Sequence, residues 1–154
     1  MTEATDQTTS RLELVERLRT AMETKDKHAF VDQFADDGVY ELPFALDGAP
    51  SRWEGIDTIR ALLTADSPMS KLLDIQRVSV QAQPGVTPDV VTVEFTVEGK
   101  NASTGEAFSF LSSIGVIRVR DGKIVYYRDY PSSLRGAQVA GMLKPYAESL
   151  AARS

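Results

Sequence analysis

Apolar residues in this chain follow a helical rhythm in the first half and a strand rhythm in the second. Leu14, Val15, Leu18 and Met22 recur at helical spacing and predict an amphipathic helix to about Thr24. Ser10 and Glu13 have the spacing of a capping box that would open this helix. The residues before it, MTEATDQTTS, show no period and are expected to form a loose tail over 1–10. Asp26 would cap a short second helix through Ala29, Phe30 and Phe34, and Phe34-Ala35-Asp36-Asp37-Gly38 would end it. Val39 to Leu42 reads as a short strand closed by Pro43, followed by a Pro- and Gly-containing loop from Phe44 to Glu54. Asp57 to about Ala65 predicts a third helix, with Ile59, Leu62 and Leu63 facing inward.

From Leu72 to Gln83 the pattern becomes strand-like, and Pro84-Gly85-Val86-Thr87-Pro88 marks a turn. Val91, Val93, Phe95 and Val97 then alternate with Thr92, Glu94, Thr96 and Glu98, the signature of a strand with one apolar face. Asn101 to Gly105 is a turn, and Ala107 to Arg120 is a long strand. Asp121-Gly122 is a two-residue hairpin signal, leading into a last strand over Lys123 to Tyr130 that Pro131 stops. Leu134 to Leu143 predicts a final short helix. Helices followed by a meander of antiparallel strands imply an α+β class, with the helices packed on one face of a curved sheet around a pocket. A single domain is expected over 11–145, with a C-terminal tail over 146–154.

The chain of 154 residues is long enough for one domain with a core burying roughly two thirds of the unfolded surface. A net charge of −5 and the lack of a Lys/Arg-rich run argue against nucleic acid as a partner. No apolar stretch is long enough for a bilayer, and the polar, acidic start is unlike a signal peptide, so a soluble, cytoplasmic protein without a membrane partner is expected. The absence of Cys removes thiolate chemistry and Cys-based zinc sites, and a lone histidine, His28, removes any site needing two imidazoles. No Gly-x-Gly occurs, so no phosphate loop is expected; neither is a cofactor or a metal.

The chemistry-bearing candidates lie on the strands. Strand parity puts Val125, Tyr127 and Asp129 on one face, where burial would raise the carboxyl toward the range of a neutral-pH general acid or base. The alternative is an exposed strand end, or an ion pair with Arg128 or another arginine. Tyr40 is either a hydrogen-bond donor to a ligand oxygen or an amphipathic core tyrosine. Trp53 either lids the pocket or anchors its loop. Tyr127, Phe95, Val97, Leu42, Leu111 and Ser113 are candidate pocket wall. Glu41 and Glu94 point away from it by parity, Asp36-Asp37 reads as a helix-ending turn, and His28 as a surface residue. Asn101-Ala102-Ser103 matches a glycosylation sequon.

The stretch Ser113-Ile114-Gly115-Val116-Ile117-Arg118-Val119-Arg120-Asp121-Gly122-Lys123-Ile124-Val125-Tyr126-Tyr127-Arg128-Asp129-Tyr130 resembles the last two strands of the SnoaL-like group. That group lies within the nuclear transport factor 2-like superfamily. Phe34-Ala35-Asp36-Asp37-Gly38-Val39-Tyr40 resembles the superfamily's first strand entry, shared with ketosteroid isomerases and polyketide cyclases. The resemblance implies a cone-shaped sheet and a homodimer. It is strongest toward limonene-epoxide hydrolase, whose aspartate general base falls on Asp129 and whose water-positioning tyrosine falls on Tyr40. That enzyme's asparagine falls on Leu42, and its arginine and second aspartate fall on Phe95 and Val97. The isomerase's aspartate also falls on Leu42, before Pro43. One carboxylate and the pocket are kept, and an apolar wall replaces the rest.

These readings lead to a cofactor-independent cyclase or isomerase of a hydrophobic, polyketide-like metabolite, with Asp129 moving a proton and Tyr40 holding an oxygen. Such a role would belong to secondary-metabolite or antibiotic biosynthesis. Epoxide opening by Asp129, and a non-catalytic carrier of an apolar metabolite, are the alternatives.

Overall fold

The strand rhythm of the second half builds a sheet, and the first half of the chain supplies its other edge. A computed structural model describes residues 2–153, with side chains from residue 6. The helices are α1 (Thr2–Glu23), α2 (Lys27–Val31), α3 (Ile56–Leu63), α4 (Pro68–Leu72), α5 (Ser133–Val139) and α6 (Leu143–Ala151). The strands are β1 (Phe34–Glu41), β2 (Arg52–Glu54), β3 (Leu73–Pro84), β4 (Val90–Asn101), β5 (Ala107–Arg120) and β6 (Lys123–Pro131). They form one curved, open sheet in the order β2-β1-β6-β5-β4-β3. The pairs β3–β4, β4–β5 and β5–β6 are antiparallel, as the meander predicts, whereas β1 runs parallel to β6.

The alternation over β4 turns Val91, Val93, Phe95 and Val97 inward, each almost fully buried. Across them lies α1, whose Leu14, Val15 and Leu18 are buried as the periodicity predicts; the stripe ends on buried Ala21 and on Met22, which is partly buried. Each such buried Val, Leu or Phe side chain contributes roughly 1.5–3 kcal/mol relative to exposure. Polar side chains of α1 serve the sheet as well. Glu23 accepts from the Val78 amide (2.9 Å) and Arg19 donates to the Val78 carbonyl (3.1 Å). The buried Arg11 donates to the carbonyls of Val90 (2.6 Å) and Thr87 (3.1 Å), tying the β3–β4 hairpin to the helix. Asp121 and Gly122 both have positive φ (52° and 74°), the backbone of the two-residue turn their sequence predicts.

Several boundaries differ from expectation. The segment before Ser10 is part of α1 instead of a loose tail, so Ser10 and Glu13 lie inside a helix and form no capping box. Residues 143–151, largely assigned to a tail, form α6. Phe34 begins β1 instead of ending α2, because its fully buried ring stacks on Tyr127 of the neighbouring strand. The expected loop from Phe44 to Glu54 contains β2, paired antiparallel with β1 so that Trp53 faces Tyr40. Local composition missed it because three residues carry no period. The short α4 was also missed; Ser67 and Ser70 close its capping box.

Candidate active site

Asp129 stands near the end of β6, and the structure surrounds it with groups from distant parts of the chain. Parallel pairing puts Tyr40 of β1 beside Tyr127 of β6, one side-chain step from Asp129 on the same face. The Tyr40 hydroxyl donates to Asp129 Oδ2 in a short hydrogen bond. Oδ1 is buried and has no hydrogen-bond donor among the described residues. Burial raises the Asp129 carboxyl and the Tyr40 hydrogen bond offsets part of the rise, leaving it at about 6. Burial, reinforced by the neighbouring carboxylate, holds the Tyr40 and Tyr127 phenols protonated well above their ordinary range.

These groups line a cavity of about 480 Å³, a size typical of small-molecule sites. Its wall is mainly apolar, with Phe95 and Tyr127 from the sheet, Phe30 and Leu63 from the helices, and Leu73 and Ile75 from the start of β3. Gly115, paired with Asp129, makes room for the Tyr127 phenol: a Cβ there would stand 2.9 Å from its hydroxyl. Lys25, Lys27 and Lys71 stand among the lining residues. Lys25 is paired with Asp74 and Lys27 with Asp66. Among the described residues no group of His, Asp and Glu is arranged to hold a metal ion.

Asp129, Tyr40, Tyr127, Phe95 and Ser113 therefore meet at one cavity. Asp129 pairs with neither Arg128 nor any other arginine; Arg128 reaches Glu41 instead, at 3.4 Å. Tyr40 is both core tyrosine and donor, its proton committed to Asp129. Val97 does face inward but is sealed in the core away from the cavity wall. Leu111 points to the outer face and is 40% exposed. The cause is a bulge: Phe95 pairs with Ser113 but Thr96 pairs with Leu111, so the extra residue, Ser112, reverses the parity of β5. A second bulge near Val125 makes Ile124, not Val125, the buried partner of Tyr127's face. Trp53 and Leu42 line a separate cavity beyond Tyr40, with the Trp53 and Tyr40 rings 6.0 Å apart. Glu41 does point away from the cavity, though it is held by Tyr126 and Arg52 instead of being freely solvated. His28 is on the surface beside Arg60. Asn101 is buried, with its amide donating to the Val139 carbonyl and its oxygen accepting from the backbone of Ser103 and Thr104.

Phe30, Met22, Leu73 and Ile75 were not foreseen as wall. Met22 lies at the end of the α1 stripe, and Leu73 and Ile75 share a parity in β3, so their inward direction was readable; their meeting at one cavity was not.

An open, curved sheet with helices over its hollow is the fold of the nuclear transport factor 2-like superfamily. Within it the chain belongs to the SnoaL-like domain family, matched over residues 15–127, so Asp129 lies just beyond the matched region. A PhzA/B-like protein of Pseudomonas aeruginosa, described as uncharacterised, is 33% identical over 83% of this chain and 87% of its own. A Bacillus subtilis protein described as a candidate isomerase superposes with a TM-score of 0.71 at 26% identity, over 88% of this chain and 96% of its own. An epoxide hydrolase of Mycobacterium tuberculosis, like limonene-epoxide hydrolase, shares the fold with a TM-score of 0.55 at 23% identity, over 95% and 98% of the two chains.

Proposed function

We propose that this protein is a cofactor-independent cyclase or isomerase that rearranges an apolar, polyketide-like molecule, with Asp129 moving a proton. The observation that carries this reading is the Asp129 carboxyl itself. One oxygen is fixed by Tyr40, the other is buried without a protein donor, and the group lines an apolar cavity. A base so oriented takes a proton from an acidic carbon or hydroxyl of the substrate and returns it elsewhere on the same molecule. A carboxyl raised to about 6 is ionised at neutral pH, yet basic enough to accept that proton. Tyr40 acts through Asp129, aiming the free oxygen. The aromatic wall folds a flexible substrate toward its reactive shape, and such positioning alone supplies several kcal/mol. The similarity of the chain to an isomerase candidate, and its SnoaL-like family, support the same reading.

Epoxide opening would use the same carboxylate. The resemblance places that reaction's arginine and second aspartate on Phe95 and Val97, both buried and apolar, which disfavours it.

The test is to delete the gene in its host and complement it with wild type or Asp129→Asn. Accumulation of a compound isomeric with the final product, cleared by wild type and not by Asp129→Asn, supports the reading. An accumulating compound lighter by one water shifts the assignment to hydration of an epoxide. Full clearance by Asp129→Asn removes the proton-transfer role, and loss of yield with no accumulating compound points to a carrier.

A further inference from the structure

Beyond Tyr40 the inner surface continues into a second chamber of about 640 Å³, which the proposed reaction does not use. Its walls come from the segment after β1, the end of β6 with the start of α5, and α6. Trp53 lines the side toward the catalytic cavity, where its ring packs against that of Tyr40. The lining is apolar apart from two serines, the Tyr146 hydroxyl and a single charged residue, Arg153. Arg153 has no ion-pair partner among the described residues; at the catalytic cavity Lys25 and Lys27 are paired with aspartates, and Lys71 acts on the Asp66 carboxylate through space. Phe44, Leu46 and Leu134 stand at this chamber 81%, 51% and 63% exposed, an apolar surface left open to water. An apolar hollow whose one cation has no acidic partner among the described residues complements a molecule with an apolar body and one anionic end.

We infer that this chamber is a second ligand site, which takes an amphipathic monocarboxylate with its hydrocarbon against Trp53 and Leu134 and its carboxylate at Arg153. The ligand covers the exposed apolar rim, and the guanidinium meets the carboxylate with two parallel donors.

The chain has one tryptophan, and it lies in this chamber, so its emission reports occupancy directly. The full-length protein is titrated with dodecanoate and, separately, with dodecanol, both below their aggregation limits. A saturable change in Trp53 fluorescence with dodecanoate is expected. Arg153→Gln should weaken dodecanoate by about five-fold while leaving dodecanol unaltered. Leu134→Asp, at an exposed position that tolerates a polar side chain, should abolish binding of both; its thermal melt confirms the fold. Any of three results overturns the inference. The first is no saturable change. The second is a change that Leu134→Asp leaves intact, which places the ligand beside Asp129 instead. The third is a dimer in sedimentation that Leu134→Asp dissociates without any ligand, which assigns the chamber to a second copy of the chain.

Discussion

Burial with one oxygen lacking a donor raises the free energy of the charged Asp129 carboxylate, and the Tyr40 hydroxyl on the other oxygen offsets only part of that rise. Asp129 titrates near 6 in the folded protein against an ordinary value of 3.8, so between those values the folded state binds more protons than the unfolded one. Stability therefore falls as pH rises from about 4 to about 6, and stays reduced above that. Asp129→Asn removes the penalty. It should stabilise the protein by about 1–3 kcal/mol at pH 8 and by little at pH 4, as read from urea midpoints at the two pH values. An equal gain at both would refute the buried charge. Tyr40→Phe removes the one group that lowers the Asp129 carboxyl, so its titration, followed by carboxyl NMR, should move above 6. Under the proposed mechanism the rising limb of kcat/KM moves with it. Asp129 and Tyr127 were legible in the sequence because they share a parity on an uninterrupted stretch of strand. The contact between Tyr40 and Asp129 was not, since it joins residues 89 apart.

Elements obey their periods until a bulge intervenes. The alternation over β4 was readable from end to end, and so was the turn at Asp121-Gly122. On β5 one extra residue at Ser112 sends Leu111 outward, and no local pattern announces it. A third irregularity, between Ile75 and Arg77 on β3, lets the backbone of Asp74 press against Gly99 of β4. A Cβ at Gly99 would stand 2.0 Å from the Asp74 carbonyl oxygen, so the strand must move to admit it. Gly99→Ala should cost about 1–3 kcal/mol or more by denaturant unfolding. Because Leu73 and Ile75 lie on the displaced stretch, it should also reshape the cavity wall. Helix ends were harder than helix faces. The stripe of α1 was legible, but its true start and α6 were not, because polar turns at a helix end carry no apolar period to read.

Over the whole molecule, the order of classes along the chain was enough to expect helices over one face of a curved sheet. It could not show that β1 would return between β2 and β6, because that placement depends on what Phe34 and Tyr40 bury, not on their neighbours in sequence. Arg11 is the long-range tie that can be tested most simply. Arg11→Met keeps an unbranched apolar stem but removes the guanidinium bonds to the carbonyls of Thr87 and Val90, leaving each with its backbone amide donor alone. It should destabilise the fold by about 1–3 kcal/mol, with the largest rise in amide exchange at the β3–β4 hairpin. The parallel pairing of β1 with β6 also has a consequence in time. Strand β1 is made well before its sheet partner, which lies from Lys123 onward. Until then β1 can pair only with the three residues of β2, too little to persist alone. Closing so long a loop is slow, so the Tyr40–Asp129 pair should be among the last features to assemble. A chain interrupted before β6 thus has a partial sheet without the Tyr40–Asp129 pair, and the site on which the proposed chemistry depends exists only once β6 has joined β1.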